Sequence, residues 1–161
     1  MQKKWFLLLA IPLMLASCNK SPNNVNCSYV APTTVAPASE VTALKAYLDA
    51  NAIVYTQHPS GIFFEIVAPG SGPVANVCSA VTVKYRGRLI TSTTAFDENT
   101  TGITFTLGQL IAGWQIGIPL IQKGGSIKLY IPPSLGYGAT PQTGIPANSN
   151  LAFNIELINV Q

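Results

Sequence analysis

The chain has 161 residues, of which 48% are hydrophobic and only 9% are charged, and its formal net charge is +3. Charged residues make up roughly 25% of an ordinary soluble domain, and a disordered chain would combine low hydrophobicity with high net charge, so the composition excludes disorder. No stretch combines clustered basic residues with interleaved aromatic ones, so nucleic acid is not an expected partner.

Residues 1–17 have the pattern of a secretory signal. Lys3 and Lys4 precede an apolar run from Trp5 to Leu15. This run is too short to cross a bilayer as a helix, which takes about 20 residues. The pattern therefore predicts a segment that directs export and is then removed.

The apolar run ends in Leu15-Ala16-Ser17-Cys18, which resembles the lipobox of bacterial lipoproteins. The resemblance implies that Cys18 becomes the acylated N-terminus, carrying fatty acids such as palmitate, so that the protein is anchored to a membrane and does not span it. An ordinary cleavage site followed by a chance cysteine is the alternative. Because Asn19 and not Asp follows, we expect the outer membrane of the cell envelope, with the protein facing the periplasm or the surface.

Residues 18–37 are predicted to be a flexible tether, since prolines alternate with small polar residues and no periodicity is sustained. Residues 38–56 are predicted to contain a docking helix that begins with Ser39 as its N-cap and stops near Asn51. Apolar residues at helical spacing form its buried stripe: Val41, Leu44, Ala46, Tyr47 and Leu48.

Two cysteines remain after Cys18 is assigned to lipid. In an oxidising compartment Cys27 and Cys78 can pair. Their disulfide would close a loop of about 50 residues and, in the chain-entropy model, stabilise the fold by about 4 kcal/mol. Two separate thiols are the alternative to this pairing.

Residues 57–161 are predicted to form an α+β domain. Five segments alternate apolar and polar residues as half-buried strands do: 62–67, 81–89, 103–107, 127–131 and 151–157. Between the third and the fourth lies a short helix that is apolar nearly all round, with Leu110, Ile111, Trp114 and Ile116, so it must be buried. Regular alternation of strands and helices is absent, which favours an antiparallel five-stranded sheet curled around one short helix.

Few residues suit covalent chemistry. His58, the single histidine, precedes a proline in an apparent turn, and the six carboxylates form no obvious acid–base pair. No glycine-rich phosphate loop opens a helix, and one histidine without clustered carboxylates does not make a metal site. We therefore expect no metal and no cofactor, and neither hydrolysis nor group transfer.

Aromatic residues recur at the edges of the predicted strands, within an ordered set of short motifs. The set comprises Tyr85-Arg86-Gly87, Phe96-Asp97, Leu107-Gly108, Ile111-Ala112-Gly113-Trp114, Gly117, Pro132, Tyr137-Gly138, Ile145-Pro146 and Leu151-x-Phe153-x-Ile155-Glu156-Leu157. In order and spacing it resembles the FKBP-type peptidyl-prolyl cis-trans isomerases, from about residue 61 to residue 161. No single motif is specific to that family, but the ordered set is.

The resemblance implies a pocket for a proline ring and the activity of a rotamase, with proline-containing polypeptides as clients. Six residues would form the catalytic pocket: Tyr85, Phe96, Asp97, Trp114, Tyr137 and Phe153. Five more would bind substrate: Leu110, Ile111, Ile103, Phe105 and Ile145. Trp114 would be the floor, and the backbone N–H of Ile111 would bind a substrate carbonyl.

Three departures from the family pattern affect substrate preference. Ile103 stands where an aromatic residue is usual, the connection from Asp97 to Ile103 is short by a few residues, and Gln142 stands where some members have histidine. The leading hypothesis is a lipid-anchored isomerase, acting as a monomer, that assists the folding of exported proteins. The alternative is a non-catalytic chaperone or assembly subunit of an envelope machine that only binds proline-containing segments.

Overall fold

The structure, a computed structural model, describes residues 27–161. The predicted signal (1–17), the predicted acylation site Cys18 and the first part of the predicted tether (19–26) lie outside the described residues. Within the range from residue 27 onward, no helix combines the length and the hydropathy that a bilayer-crossing helix needs.

Six strands form a single antiparallel sheet. They are β1 (Thr56–Gln57), β2 (Phe63–Ala68), β3 (Ala80–Leu89), β4 (Ala95–Thr106), β5 (Ser126–Ile131) and β6 (Leu151–Val160), in the spatial order β1-β2-β5-β6-β3-β4. The predicted α+β architecture is confirmed, and the predicted count of five strands is wrong. The prediction missed β1 because its two residues, both exposed, are too few to show any alternation.

β4 is longer than the sequence suggested. The chain segments at Phe96 and Phe105, expected on either side of a short connection, belong to one strand of 12 residues. The ladder with β3 shifts between the pairs Tyr85–Asn99 and Val83–Ile103, which marks a bulge. The interval from Asp97 to Ile103 is therefore bulged strand, and the bulge absorbs the residues that do not pair.

The central helix, α2 (Ala112–Gly117), is shorter than predicted and begins after Leu110 and Ile111. A 3₁₀ turn at Leu107–Gln109 precedes it, and another at Ile118–Leu120 follows it. Trp114 and the inward side chains of β3, β5 and β6 share one buried core. The sheet thus curls around α2, as the apolar character of this stretch predicted.

The first helix, α1 (Ala38–Ala50), packs on the opposite face of the sheet. Its fully buried residues Leu44 and Leu48 lie in a second apolar cluster with Phe63 and Tyr130. Pro37 and not Ser39 occupies the N-cap, and no side chain caps this end. The helix begins at Ala38, and the carbonyl of Pro37 accepts a 3.1 Å hydrogen bond from the N–H of Val41, so Ser39 lies inside the first turn and cannot be the N-cap.

Residues 27–37, the last part of the predicted tether, are attached to the domain, although most of their side chains are exposed. A disulfide joins Cys27 to Cys78, with the two Cα atoms 5.7 Å apart. At the other end Ala36 is buried in the main core, and its backbone N–H donates a 2.8 Å hydrogen bond to the carbonyl of Ser60. This part of the predicted tether is therefore held at both ends.

Candidate active site

Trp114 lies at the centre of a group of aromatic rings on the inner face of the sheet. The rings of Tyr85 and Phe153 both have their centroids 5.2 Å from Trp114, in edge-to-face geometry. Phe105 lies 6.5 Å from Trp114, also edge-on, and Phe96 lies 5.7 Å from Phe153. Edge-to-face pairs contribute about 0.5–1.5 kcal/mol each beyond the area they bury, so these rings form a preorganised apolar wall.

Four separate elements supply these rings. Tyr85 comes from β3, Phe96 and Phe105 from β4, Trp114 from α2 and Phe153 from β6. Gly87 on β3 makes the grouping possible, because a Cβ atom there would lie 2.5 Å from the Phe153 ring and 2.8 Å from the Phe96 ring. The motif Tyr85-Arg86-Gly87 therefore places one ring in the site and leaves room for two others.

The polar part of the site is small. The hydroxyl of Tyr85 donates a 2.6 Å hydrogen bond to Oδ2 of Asp97, whose side chain is exposed. Burial, reinforced by this bond, holds the pKa of Tyr85 above its ordinary value. Burial and the charge of Asp97 likewise raise the pKa of Tyr137. Both phenols therefore stay protonated at physiological pH and offer hydrogen-bonding hydroxyls beside the Asp97 side chain.

The segment before α2 is held by Gln115, a residue that the sequence analysis did not select. Its side-chain Nε2 donates hydrogen bonds of 2.7 Å to the carbonyl of Leu110 and 3.3 Å to that of Gly108. In the part of the chain that the structure describes, no hydrogen bond occupies the backbone N–H of Ile111. The signal for Gln115 was present, since it is the one strongly polar residue of an otherwise apolar helix.

The remaining predicted residues lie around this centre. Ile103 pairs with Val83 and is 37% exposed, while Ile145 is 4% exposed and belongs to the main core. Tyr137 starts the loop that returns over Phe96, where a Cβ atom at Gly144 would lie 3.4 Å from the Phe96 Cβ. Gln142 forms a backbone pair with Ile145 and is exposed. Ile145 is thus buried beneath the loop to the same extent as Trp114 and Phe153.

The donor atoms needed for a metal are not assembled. Across residues 27–161, no group of three or more histidine, cysteine, aspartate or glutamate side chains has a geometry that suits an ion. The indole Nε1 of Trp114 is buried and has no hydrogen-bond partner among the described residues. What the arrangement can do is bind an apolar ring against aromatic walls beside a free backbone N–H.

Residues 72–158, more than half of the chain, match the family model described as FKBP-type peptidyl-prolyl cis-trans isomerase. The chain belongs to this family. The matched range contains every aromatic residue of the site.

The chain is similar to FkpA proteins, which are FKBP-type isomerases. It is 44% identical over 104 residues to FkpA of Buchnera aphidicola subsp. Baizongia pistaciae, covering 63% of this chain and 41% of that protein. It is 39% identical over 104 residues to FkpA of Escherichia coli K12, covering 63% of this chain and 38% of that protein. The chain therefore spans about two fifths of the length of these curated relatives.

Two crystal structures share the fold. FkpA from E. coli superposes with a TM-score of 0.69 and 36% identity, covering 77% of this chain and 60% of that one. A peptidyl-prolyl cis-trans isomerase from Pseudomonas syringae pv. tomato superposes with a TM-score of 0.67 and 30% identity, covering 80% of this chain and 98% of that one. Both are similar over most of the described residues.

Proposed function

We propose that this protein is a peptidyl-prolyl cis-trans isomerase that acts on proline-containing segments of polypeptides. The observation that carries the proposal is the edge-to-face group around Trp114, which offers a flat apolar floor bounded by Tyr85 and Phe153. A proline ring is compact, apolar and rigid, so it suits such a floor. Family membership and the similarity to FkpA proteins support the same reading.

The chemistry that this site performs involves no covalent bond to the substrate. Rotation about an X–Pro bond faces a barrier of about 18–20 kcal/mol because the planar amide is stabilised by resonance. The planar amide is more polar than the twisted one, so a dry apolar pocket favours the twisted state. The enzyme accelerates rotation because it binds that state more tightly than the planar ground state.

The polar groups at the pocket serve orientation. The free N–H of Ile111 is available for a substrate carbonyl, and it stands at the start of α2, where Gln115 fixes the preceding backbone. Asp97 holds the Tyr85 hydroxyl, which fixes the angle of that ring against Trp114. Neither Asp97 nor Tyr85 transfers a proton in this mechanism.

We further propose that the protein works at the bacterial cell envelope as a lipoprotein anchored through Cys18. There it would isomerise X–Pro bonds of exported chains as they fold. The support is the sequence pattern of residues 1–18, together with a disulfide of the kind that persists in oxidising compartments. Mass spectrometry of the protein extracted from membranes tests this. A diacylated Cys18 at the new N-terminus is the expected finding, and an unmodified Cys18 in a soluble fraction contradicts it.

Isomerisation of a short X–Pro peptide by a soluble form that begins at Asn19 tests the activity. Clear acceleration that Trp114→Ala removes and Val30→Ala retains establishes the aromatic group as the working site. The circular dichroism of each variant confirms that it is folded. If the folded wild-type protein gives no acceleration yet binds the peptide, the activity proposal fails and the protein is a proline-binding module. The half-exposed aliphatic Ile103 at the wall favours that second reading.

A further inference from the structure

Residues 27–35, which we call the N-terminal strap, run along the domain between two attachments. At one end Cys27 is bonded to Cys78, and just beyond the other end Ala36 is buried and bonded to Ser60. Between these attachments most side chains point to solvent, and Val30 and Val35 are 84% and 64% exposed. A segment with so little burial of its own is not needed to fill the core.

Tyr29 is the side chain by which the strap contacts the site. Its ring lies against the backbone of Gly108, where a Cβ atom would come 2.4 Å from Cγ of Tyr29. The φ angle of Gly108 is not in the left-handed region. The backbone conformation therefore does not require glycine at position 108. The Tyr29 ring requires it, because the ring leaves no space for a side chain there.

Cys78, the other half of the disulfide, lies beside the same turn at Leu107 and Gly108. Cys78 lies between Val77, whose carbonyl accepts a 2.8 Å hydrogen bond from the N–H of Gly108, and Ser79, whose carbonyl accepts a 3.0 Å bond from the N–H of Leu107. The disulfide thus ties the strap to the very backbone that pairs with Leu107 and Gly108. The strap and its anchor hold this turn together.

Gln115 holds the same turn through the turn's backbone carbonyl groups, whereas residues 77 and 79 bind its N–H groups. It binds the carbonyls of Gly108 and Leu110, so Gly108 is fixed by a hydrogen bond at its N–H, another at its carbonyl, and the Tyr29 ring over its Cα. The chain then has only two residues, Gln109 and Leu110, before Ile111. A displacement of Gly108 is therefore passed on to the pocket wall and to the free N–H.

We propose that the strap is part of the isomerase site. Tyr29 is a positioning residue that holds the turn at residues 107–110, so that Leu110 and the Ile111 N–H face the substrate. The Cys27–Cys78 disulfide keeps Tyr29 in place. This inference rests on the proposed function where it concerns substrate. Opening the disulfide or removing the Tyr29 ring loosens the wall and weakens substrate binding. The pocket itself, built around Trp114, remains.

The test compares four variants of the full chain purified in detergent. Tyr29→Ala removes the ring and keeps the disulfide, while Tyr29→Phe keeps the ring. Cys27→Ser opens the disulfide, and Val30→Ala is the matched control in an exposed neighbour without this contact. Two experiments are made on each variant: amide hydrogen exchange of residues 107–111 without substrate, and steady-state kinetics that give KM and kcat for an X–Pro peptide.

We expect Tyr29→Ala and Cys27→Ser to speed exchange by about tenfold at the hydrogen-bonded amides of Leu107, Gly108 and Leu110, with β5 and β6 unchanged. We expect both to raise KM by roughly three- to tenfold while kcat stays within about twofold, since uniform binding is what they remove. Tyr29→Phe and Val30→Ala are expected to match the wild type. If Cys27→Ser does not fold, Tyr29→Ala and Tyr29→Phe alone decide the matter.

Unchanged exchange at residues 107–111 in Tyr29→Ala overturns the proposal. Faster exchange with unchanged KM also overturns it, because the strap would then stabilise the turn without serving the site. A wild-type protein that is folded but inactive refutes the isomerase function instead. In that case calorimetric affinity for the same peptide replaces KM, and the strap proposal stands or falls on the same comparison between Tyr29→Ala and Tyr29→Phe.

Discussion

The hydroxyl of Tyr85 lies 2.6 Å from Oδ2 of Asp97, and the same tyrosine ring stands edge-on to Trp114 with 5.2 Å between centroids. One side chain therefore links the exposed carboxylate to the buried floor of the pocket. The Asp97 carboxylate, which is exposed, thus orients the Tyr85 ring that forms one wall of the pocket. This arrangement lets polar and apolar contributions to activity be separated by mutation.

Tyr85→Phe keeps the ring and removes the hydrogen bond. We expect kcat/KM to fall about fivefold, corresponding to about 1 kcal/mol for a hydrogen bond to a charged group that is partly exposed. Asp97→Asn, which retains an acceptor, is expected to cost less. Peptide isomerisation rates for the two variants check this, and a larger loss in Asp97→Asn would show that the carboxylate contacts substrate directly.

Alkaline pH is expected to destabilise the protein through Tyr85. Its pKa is raised in the folded state, mainly by burial, whereas an unfolded tyrosine ionises near pH 10. The stabilising effect is therefore complete below about pH 10 and is lost as the pH rises further, because the unfolded state then gives up its proton first. Urea midpoints at pH 8 and about pH 10.5 measure it. Tyr85→Phe is the control, and its smaller decline isolates this phenol from Tyr130 and Tyr137, which both proteins share.

Leu48→Ala separates stability from activity. Leu48 is fully buried in the cluster between α1 and the face of the sheet that lies away from Trp114. The substitution is expected to lower the free energy of unfolding by about 2–5 kcal/mol, as other buried leucine truncations do. The kcat/KM of the remaining folded protein is expected to be unchanged. A parallel fall in kcat/KM would mean that α1 reaches the pocket through the sheet.

Ile103→Phe tests the aliphatic position in the wall. Ile103 pairs with the buried Val83, so both side chains lie on the face of the sheet that carries Trp114. An added ring beside Phe105 is expected to lower KM about threefold, within the range of one aromatic pair. Ile103→Ala is expected to raise KM. Equal KM values in both variants would show that substrate does not reach this position.

Strand alternation made most of the fold predictable. The residues Val81, Val83 and Tyr85 alternate with polar ones, and the structure buries or half-buries all three on one face of β3. The apolar surroundings of Trp114 likewise predicted a buried helix. The local period of apolar residues predicts which side chains are buried, so these features can be predicted from neighbouring residues alone.

Other features depend on contacts between distant parts of the chain. The ring of Tyr29 packs on the backbone of Gly108, although the two residues are far apart in sequence and neither lies in a pattern that predicts the contact. Residues 27–37 have a linker's composition, yet the disulfide, Ala36 and this contact of Tyr29 hold them to the domain. Gln115 stands out as the one strongly polar residue of α2, but the backbone carbonyls that it binds have no signature in the sequence. Local pattern does not contain this information.

The strand β6 follows the other five strands of the sheet in sequence, yet it lies in the interior of the sheet between β5 and β3 and brings Phe153 to Trp114. During synthesis or export the earlier strands emerge first, yet β5 and β3 have no partner to join them until residues 151–160 arrive. A nascent chain interrupted before that point exposes two open strand edges and has no pocket. Residues 151–160 must therefore be in place before the aromatic group around Trp114 is complete, and any activity of this site depends on their pairing with β3 and β5.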